Sequence, residues 1–93
     1  MREKTIENKL VLAAHRLDGL ALKFTSPGFS GMPDRLLLLP GKRLAFVEVK
    51  APGMQLHPLQ VKRKRQLEAL GFSVYCIDQP DQIGGVLDEI RAS

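Results

Sequence analysis

The segment RLLLLPGKRLAFVEVK, Arg35 to Lys50, constrains this chain more than any other. Two runs of strand-forming residues flank Pro40-Gly41-Lys42, a spacer built of turn residues. The pattern predicts a β-hairpin with strands at Asp34–Leu39 and Arg43–Lys50. Leu36 to Leu39 is unbroken apolar sequence, as expected of a strand covered on both faces. A lone hairpin is not stable in water, so the rest of the chain must cover it.

The flanking sequence supplies the cover. Residues 3–18 read as a helix, with Ile6, Leu10, Ala13 and Leu17 at helical spacing and Gly19 as the stop. Leu20 to Thr25 reads as a short strand, and SPGFSGMP as a loop of glycine, proline and serine. After Pro52-Gly53, residues 56–70 read as a helix with Leu56, Leu59, Leu67 and Leu70 on one side, ended by Gly71. Phe72 to Ile77 is a last strand, and Asp81 to Arg91 a final helix weakened by Gly84-Gly85. The order αβββαβα, with a helix between the third and fourth strands, permits a parallel crossover. The expected fold is therefore α/β, a mixed sheet flanked by helices, in one domain spanning residues 1–93.

Within the second hairpin strand, Glu48 and Lys50 share a face with Phe46, because side chains alternate along a strand. A turn near Gly41 brings Asp34 opposite residues 48–50. Two carboxylates so close repel each other unless positive charge lies between them. Lys50 supplies part of that charge, and a hard divalent cation such as Mg²⁺ would supply more through oxygen ligands. A cation held there could bind a phosphate oxygen and acidify a water, with Lys50 beside the same water. The same residues could equally form a surface salt bridge at a strand end, which is worth little.

The wider pattern, GMPDRL followed by FVEVKAPG, resembles the PD-(D/E)xK nuclease signature in the form found in the VRR-NUC family, small stand-alone phage and prophage type. The resemblance implies a restriction-endonuclease-like core, αβββαβ plus a C-terminal helix. It implies metal ligation by Asp34, Glu48 and the backbone carbonyl of Val49, with Lys50 as the catalytic lysine. Glu7 matches the acidic residue of the family's first helix, a direct or water-mediated ligand, and Gln60 the glutamine near the site. The implied activity is Mg²⁺-dependent DNA endonuclease, with Mn²⁺ able to substitute, leaving a 5′-phosphate and a 3′-hydroxyl. The implied substrate is branched DNA, a four-way (Holliday) junction resolved by a homodimer. Flap- or fork-directed cleavage, restriction-like cleavage and a non-catalytic DNA-binding module are the alternatives. For the dimer surface the sequence offers apolar residues of the last or first helix, such as Val86, Leu87 and Ile90.

The remaining features fit this reading. VKRKRQ places Lys62, Arg63, Lys64 and Arg65 in consecutive helical positions, where they fan around the helix as phosphate contacts or as solvated surface. The net charge of +4 points only weakly to nucleic acid. Phe29 and Met32 are apolar residues of the glycine-rich loop, suited to packing over the site, to a DNA branch point or to a subunit contact. His15 and His57 lack partners at zinc-ligand spacing and read as surface or capping residues. With no tryptophan and one tyrosine, a stacking platform for single-stranded bases is not expected. The lone Cys76 excludes an internal disulfide and reads as a small buried strand residue in a reducing compartment. MREKTIENK has no apolar signal region and no run is long enough to cross a bilayer, so the expected location is the cytoplasm of a bacterium or phage-infected host.

Overall fold

The computed structural model describes residues 1–93. In chain order its elements are α1 (Glu3–Arg16), β1 (Leu20–Lys23), β2 (Arg35–Leu39), β3 (Arg43–Val49), α2 (Pro58–Ala69), β4 (Ser73–Ile77) and α3 (Gln82–Ala92). The strands form one sheet in the order β1-β2-β3-β4. β1 and β3 both run antiparallel to β2, and β4 runs parallel to β3 after the α2 crossover. The sheet is therefore mixed, and it has the α/β restriction-endonuclease-like arrangement expected from the sequence. No helix is long and apolar enough to cross a membrane.

The two faces of the sheet are covered unequally. On one face Ala21, Leu37, Leu39, Ala45, Val47, Val49 and Ile77 pack against Ile6, Leu10 and Ala14 of α1 and Ile83, Leu87 and Ile90 of α3. The other face carries a smaller cluster of Phe46, Leu67 and Val74, with Phe24, Met32 and Leu36 around it. Edge-on aromatic contacts, Phe24–Phe46 at 5.7 Å and Phe46–Phe72 at 5.9 Å, tie that cluster together. A helix about 10 Å across covers roughly two strands, which lie about 4.8 Å apart. Two helices thus close the first face, and α2 alone leaves much of the second open.

Several expectations are corrected by this asymmetry. Leu37 and Leu39 are buried, but Leu36 and Leu38 on the α2 side are only half-buried, so the run is not fully covered on both faces. Of the four leucines expected on one side of the second helix, Leu56 precedes α2, Leu70 follows it as the C-cap and is exposed, and only Leu67 is buried. Leu87 and Ile90 belong to the α1–α3 core and Val86 packs against it, so these residues do not form a free dimer surface. Gly84 and Gly85 lie within α3 and leave open space around their Cα atoms.

Helix α1 also stops by a different device. Asp18, at φ 60°, takes the left-handed conformation, after Leu17 as C-cap. Gly19 is needed for a close approach instead. A Cβ there would lie 2.5 Å from the carbonyl oxygen of Leu38. At the hairpin, Gly41 (φ 86°) and Lys42 (φ 61°) turn the chain so that Leu39 pairs with Arg43.

Candidate active site

The register of the hairpin sets the geometry. Arg35 pairs with Val47, and one step further Asp34 comes opposite Glu48. The amide of Phe24 donates to the Asp34 carbonyl at 2.8 Å, extending the β1–β2 ladder to the same level. Glu48 in turn pairs with Cys76 in β4. Phe24, Asp34, Glu48 and Cys76 therefore form a row across the sheet on its α2 face, at the end where β3 and β4 finish. The C-terminal ends of parallel strands are where open α/β sheets leave a crevice.

Glu48 is the only polar or charged residue among the buried ones, 7% exposed. Burial is the main cause that pushes its carboxyl up to about 7, the charge of Asp34 adds to the effect, and Lys50 opposes it. Lys50 Nζ lies 3.9 Å from Glu48 Oε2, a loose ion pair that compensates only part of the negative charge. Asp34 is also raised, first by burial and then by the charges of Glu7 and Glu3. The amide of Val49 donates to Asp34 Oδ1 at 3.3 Å and draws it back down. The row thus stores like-charge repulsion in a poorly solvated place, an arrangement that a folding requirement alone does not call for.

Glu7 reaches the same end of the sheet from the α1 side, where Arg35 holds it. Arg35 Nε donates to Glu7 Oε1 at 3.1 Å, and the same guanidinium donates to the Ala21 carbonyl at 3.3 Å. With Glu7 so engaged, Asp34 and Glu48 stand as a pair, and no group of three or more His, Cys, Asp or Glu side chains gathers round a common point. Glu3, one helical turn before Glu7, raises both Asp34 and Glu48, and Glu7 raises Asp34. Arg35 and Glu3 are the residues that the sequence reading passed over. Their signals were present: Arg35 adjoins Asp34 in GMPDRL, and Glu3 shares a helix face with Glu7.

Gln60 caps α2 rather than touching Asp34, Glu48 or Lys50. Its Oε1 accepts from the amide of His57, the N-cap residue of α2. The basic run of α2 divides by role. Arg63 is tied to the 26–32 loop: its Nε donates to the Ser30 carbonyl at 2.7 Å, and its guanidinium lies 3.8 Å from the centre of the Phe29 ring. Gly31 (φ 87°) lets the loop press on α2, since a Cβ there would meet Leu59 Cγ at 2.7 Å. Lys64 pairs with Glu68 at 3.1 Å, and Lys62 and Arg65 are exposed. Cys76 is half-buried rather than buried, and burial together with Asp78 and Glu48 raises its thiol, so it stays protonated.

Known proteins share this architecture. The chain is 44% identical over 81 residues to the protein named "Putative nuclease p44" of Acyrthosiphon pisum secondary endosymbiont phage 1, spanning 87% of each chain. A solved VRR_NUC domain superposes with a TM-score of 0.87 at 24% identity, over 95% of this chain and 97% of that one. No family model matches the chain.

Proposed function

The chain belongs to the VRR-NUC family of nucleases, and on that premise we propose that it is a divalent-metal-dependent DNA endonuclease acting through Asp34, Glu48 and Lys50. The observation that carries this reading is the facing carboxylate pair, with Glu48 buried and its carboxyl pushed up to about 7. A bound cation would relieve that repulsion. The facing side chains of Asp34 and Glu48 offer oxygen donors. That donor set suits a hard ion such as Mg²⁺, with Mn²⁺ substituting. Asp34, Glu48 and the Val49 carbonyl would hold it, with Glu7 or Glu3 completing the acidic field from α1. When bound, the ion supplies charge to the scissile phosphate and lowers the pKa of a water.

The chain's own groups account for the rest of the reaction. A water oxygen attacks phosphorus in line, and the bond from phosphorus to O3′ breaks. The products are a 5′-phosphate and a 3′-hydroxyl. Lys50 lies within reach of Glu48 and offsets the negative charge that grows on the phosphate oxygens during attack. The Val49 amide fixes Asp34, and Gln60 fixes the start of α2 beside the site. Arg35 keeps Glu7 at the rim of the site rather than in solvent.

The substrate is DNA held partly through α2. Replacing Lys62, Lys64 and Arg65 together is expected to weaken binding to all sequences alike. If these residues make about three phosphate contacts, the salt slope of log K should fall by about 2.7. Gel shifts at several salt concentrations measure that slope, and an unchanged slope would return the three residues to solvated surface. Arg63 is left out of the set because its loss would also release the Phe29 loop.

One chain carries one site, so cutting two strands at a branch calls for two chains. A two-fold homodimer would present two equivalent sites to a four-way junction of matching symmetry. The expected result is paired, symmetric nicks in a junction, made faster than any cut in linear duplex of the same sequence. Strand-by-strand mapping on junction, flap, fork and duplex DNA tests this. Equal cleavage of all four would remove the junction preference, and a faster cut on a flap or fork would replace it.

A further inference from the structure

The loop between β1 and β2 holds an aromatic ring at the surface by several devices. Ser26-Pro27-Gly28-Phe29 forms a tight turn, with proline second and Gly28 third at φ 81°. The amide of Phe29 closes it by donating to the Ser26 carbonyl at 3.1 Å. Gly31, at φ 87°, seats the next residues against α2. Arg63 Nε then donates to the Ser30 carbonyl at 2.7 Å, while its guanidinium lies 3.8 Å from the centre of the Phe29 ring. Phe29 nonetheless stays 46% exposed. A single exposed apolar side chain is ordinary. One whose backbone and ring are both held in place is set up for contact.

The ring borders a cavity of about 190 Å³, lined also by Met32, Arg63, Gln66, Leu67 and Leu70. Met32 links this cavity to the catalytic row. It packs against the Phe46–Leu67–Val74 cluster and stands two residues before Asp34. No carboxylate lines the cavity, and Lys62 and Arg65 are exposed on the same helix. A helix about 10 Å across does not fit there. One planar ring does.

We propose that Phe29 stacks on one unpaired nucleobase of the DNA and so selects substrates by structure. The proposal rests on the nuclease reading above and names what its site recognises. A base inside a duplex is stacked on both faces and cannot reach the ring, whereas a base at a branch, bulge or mismatch is already loosened. Stacking on an aromatic ring tolerates every base, which suits selection by structure rather than by sequence. The cations of α2 attract the phosphates on either side of the stacked base. The oxygen of the Gln66 amide accepts from Arg63 Nη1 at 2.9 Å, which leaves its NH₂ to meet a base edge. A single ring backed by an arginine serves one base, not a run of single strand.

Fluorescence anisotropy of the full chain in EDTA, with two labelled duplexes that differ at one position, tests the proposal. One duplex carries a single unpaired thymine, the other an abasic residue in its place. The wild type is expected to bind the first about 5- to 100-fold more tightly. Phe29→Leu keeps apolar bulk and drops the aromatic face, and it is expected to bind the two alike. Phe29→Tyr is expected to restore most of the preference. Should Phe29→Leu fail to fold by circular dichroism, Phe29→Met makes the same comparison. A wild type that binds both duplexes alike overturns the proposal. So does a preference that survives Phe29→Leu, which would assign the ring to loop packing. Nicking in Mg²⁺ separates this outcome from the nuclease reading. A base preference without nicking would support the stacking site and count against the nuclease; nicking without a base preference would do the opposite.

Discussion

Glu48→Gln is expected to abolish cleavage and, in the same protein, to raise the melting temperature measured without metal at pH 8. The two effects share one cause. The carboxyl of Glu48 is pushed up to about 7 from an ordinary 4.5, mainly by burial and then by Asp34. A raised acid binds its proton more tightly in the folded chain, so its stabilising contribution is complete below the unfolded value and is lost as pH rises through the folded one. Between about pH 4.5 and 7 the metal-free protein should therefore become steadily less stable, by on the order of 2–3 kcal/mol in all. The amide of glutamine has nearly the same volume and no charge to desolvate. At 4–8 °C per kcal/mol for a domain of this size, the variant should melt about 10 °C higher at pH 8 and show a flatter pH profile. Cleavage should fall by at least roughly 10³-fold, because the carboxylate charge is what the reaction uses. DNA binding should persist, since the proposed phosphate contacts lie on α2 and not at Glu48. Thermal melts from pH 5 to 8, with a cleavage assay at pH 8, check both halves. A variant that cleaves at the wild-type rate would dissolve the assignment, whatever its stability.

That opposition between stability and use is also why the site was legible before the fold was known. Glu48 and Lys50 break an otherwise apolar strand, and Asp34 is placed opposite them by the hairpin length alone. Strand periodicity fixes which residues share a face, so the row was readable. It does not fix which helix covers which strands. Leu56, Leu59, Leu67 and Leu70 looked like a buried stripe, yet only Leu67 is buried against the sheet, because a single helix spans only part of it. Val86, Leu87 and Ile90 looked available for a partner and instead complete the α1–α3 core. Asp18 took the left-handed position that Gly19 was expected to fill, since tight packing on the Leu38 carbonyl, a long-range effect, claims the glycine. Arg35 escaped notice for the same reason. Its role depends on Glu7, which lies 28 positions away and meets it only once α1 packs on the sheet.

The second large effect concerns the cation. Asp34 and Glu48 face each other, with Lys50 3.9 Å from Glu48 and the Val49 amide on Asp34 to offset part of their charge. Oxygen donors of this kind favour a small, hard ion. Mg²⁺ or Mn²⁺ should therefore raise the melting temperature of the wild type by mass action while leaving Glu48→Gln nearly unmoved. Ca²⁺ should bind and stabilise but support cleavage poorly, because it is larger, accepts looser coordination and is a weaker acid for its water.

Cleavage of end-labelled four-way junction DNA by the wild-type chain, in Mg²⁺ and in EDTA side by side, tests the central claim most directly. Strand scission in Mg²⁺ that yields 5′-phosphate and 3′-hydroxyl ends, with none in EDTA, is the expected result; robust scission in EDTA would contradict it.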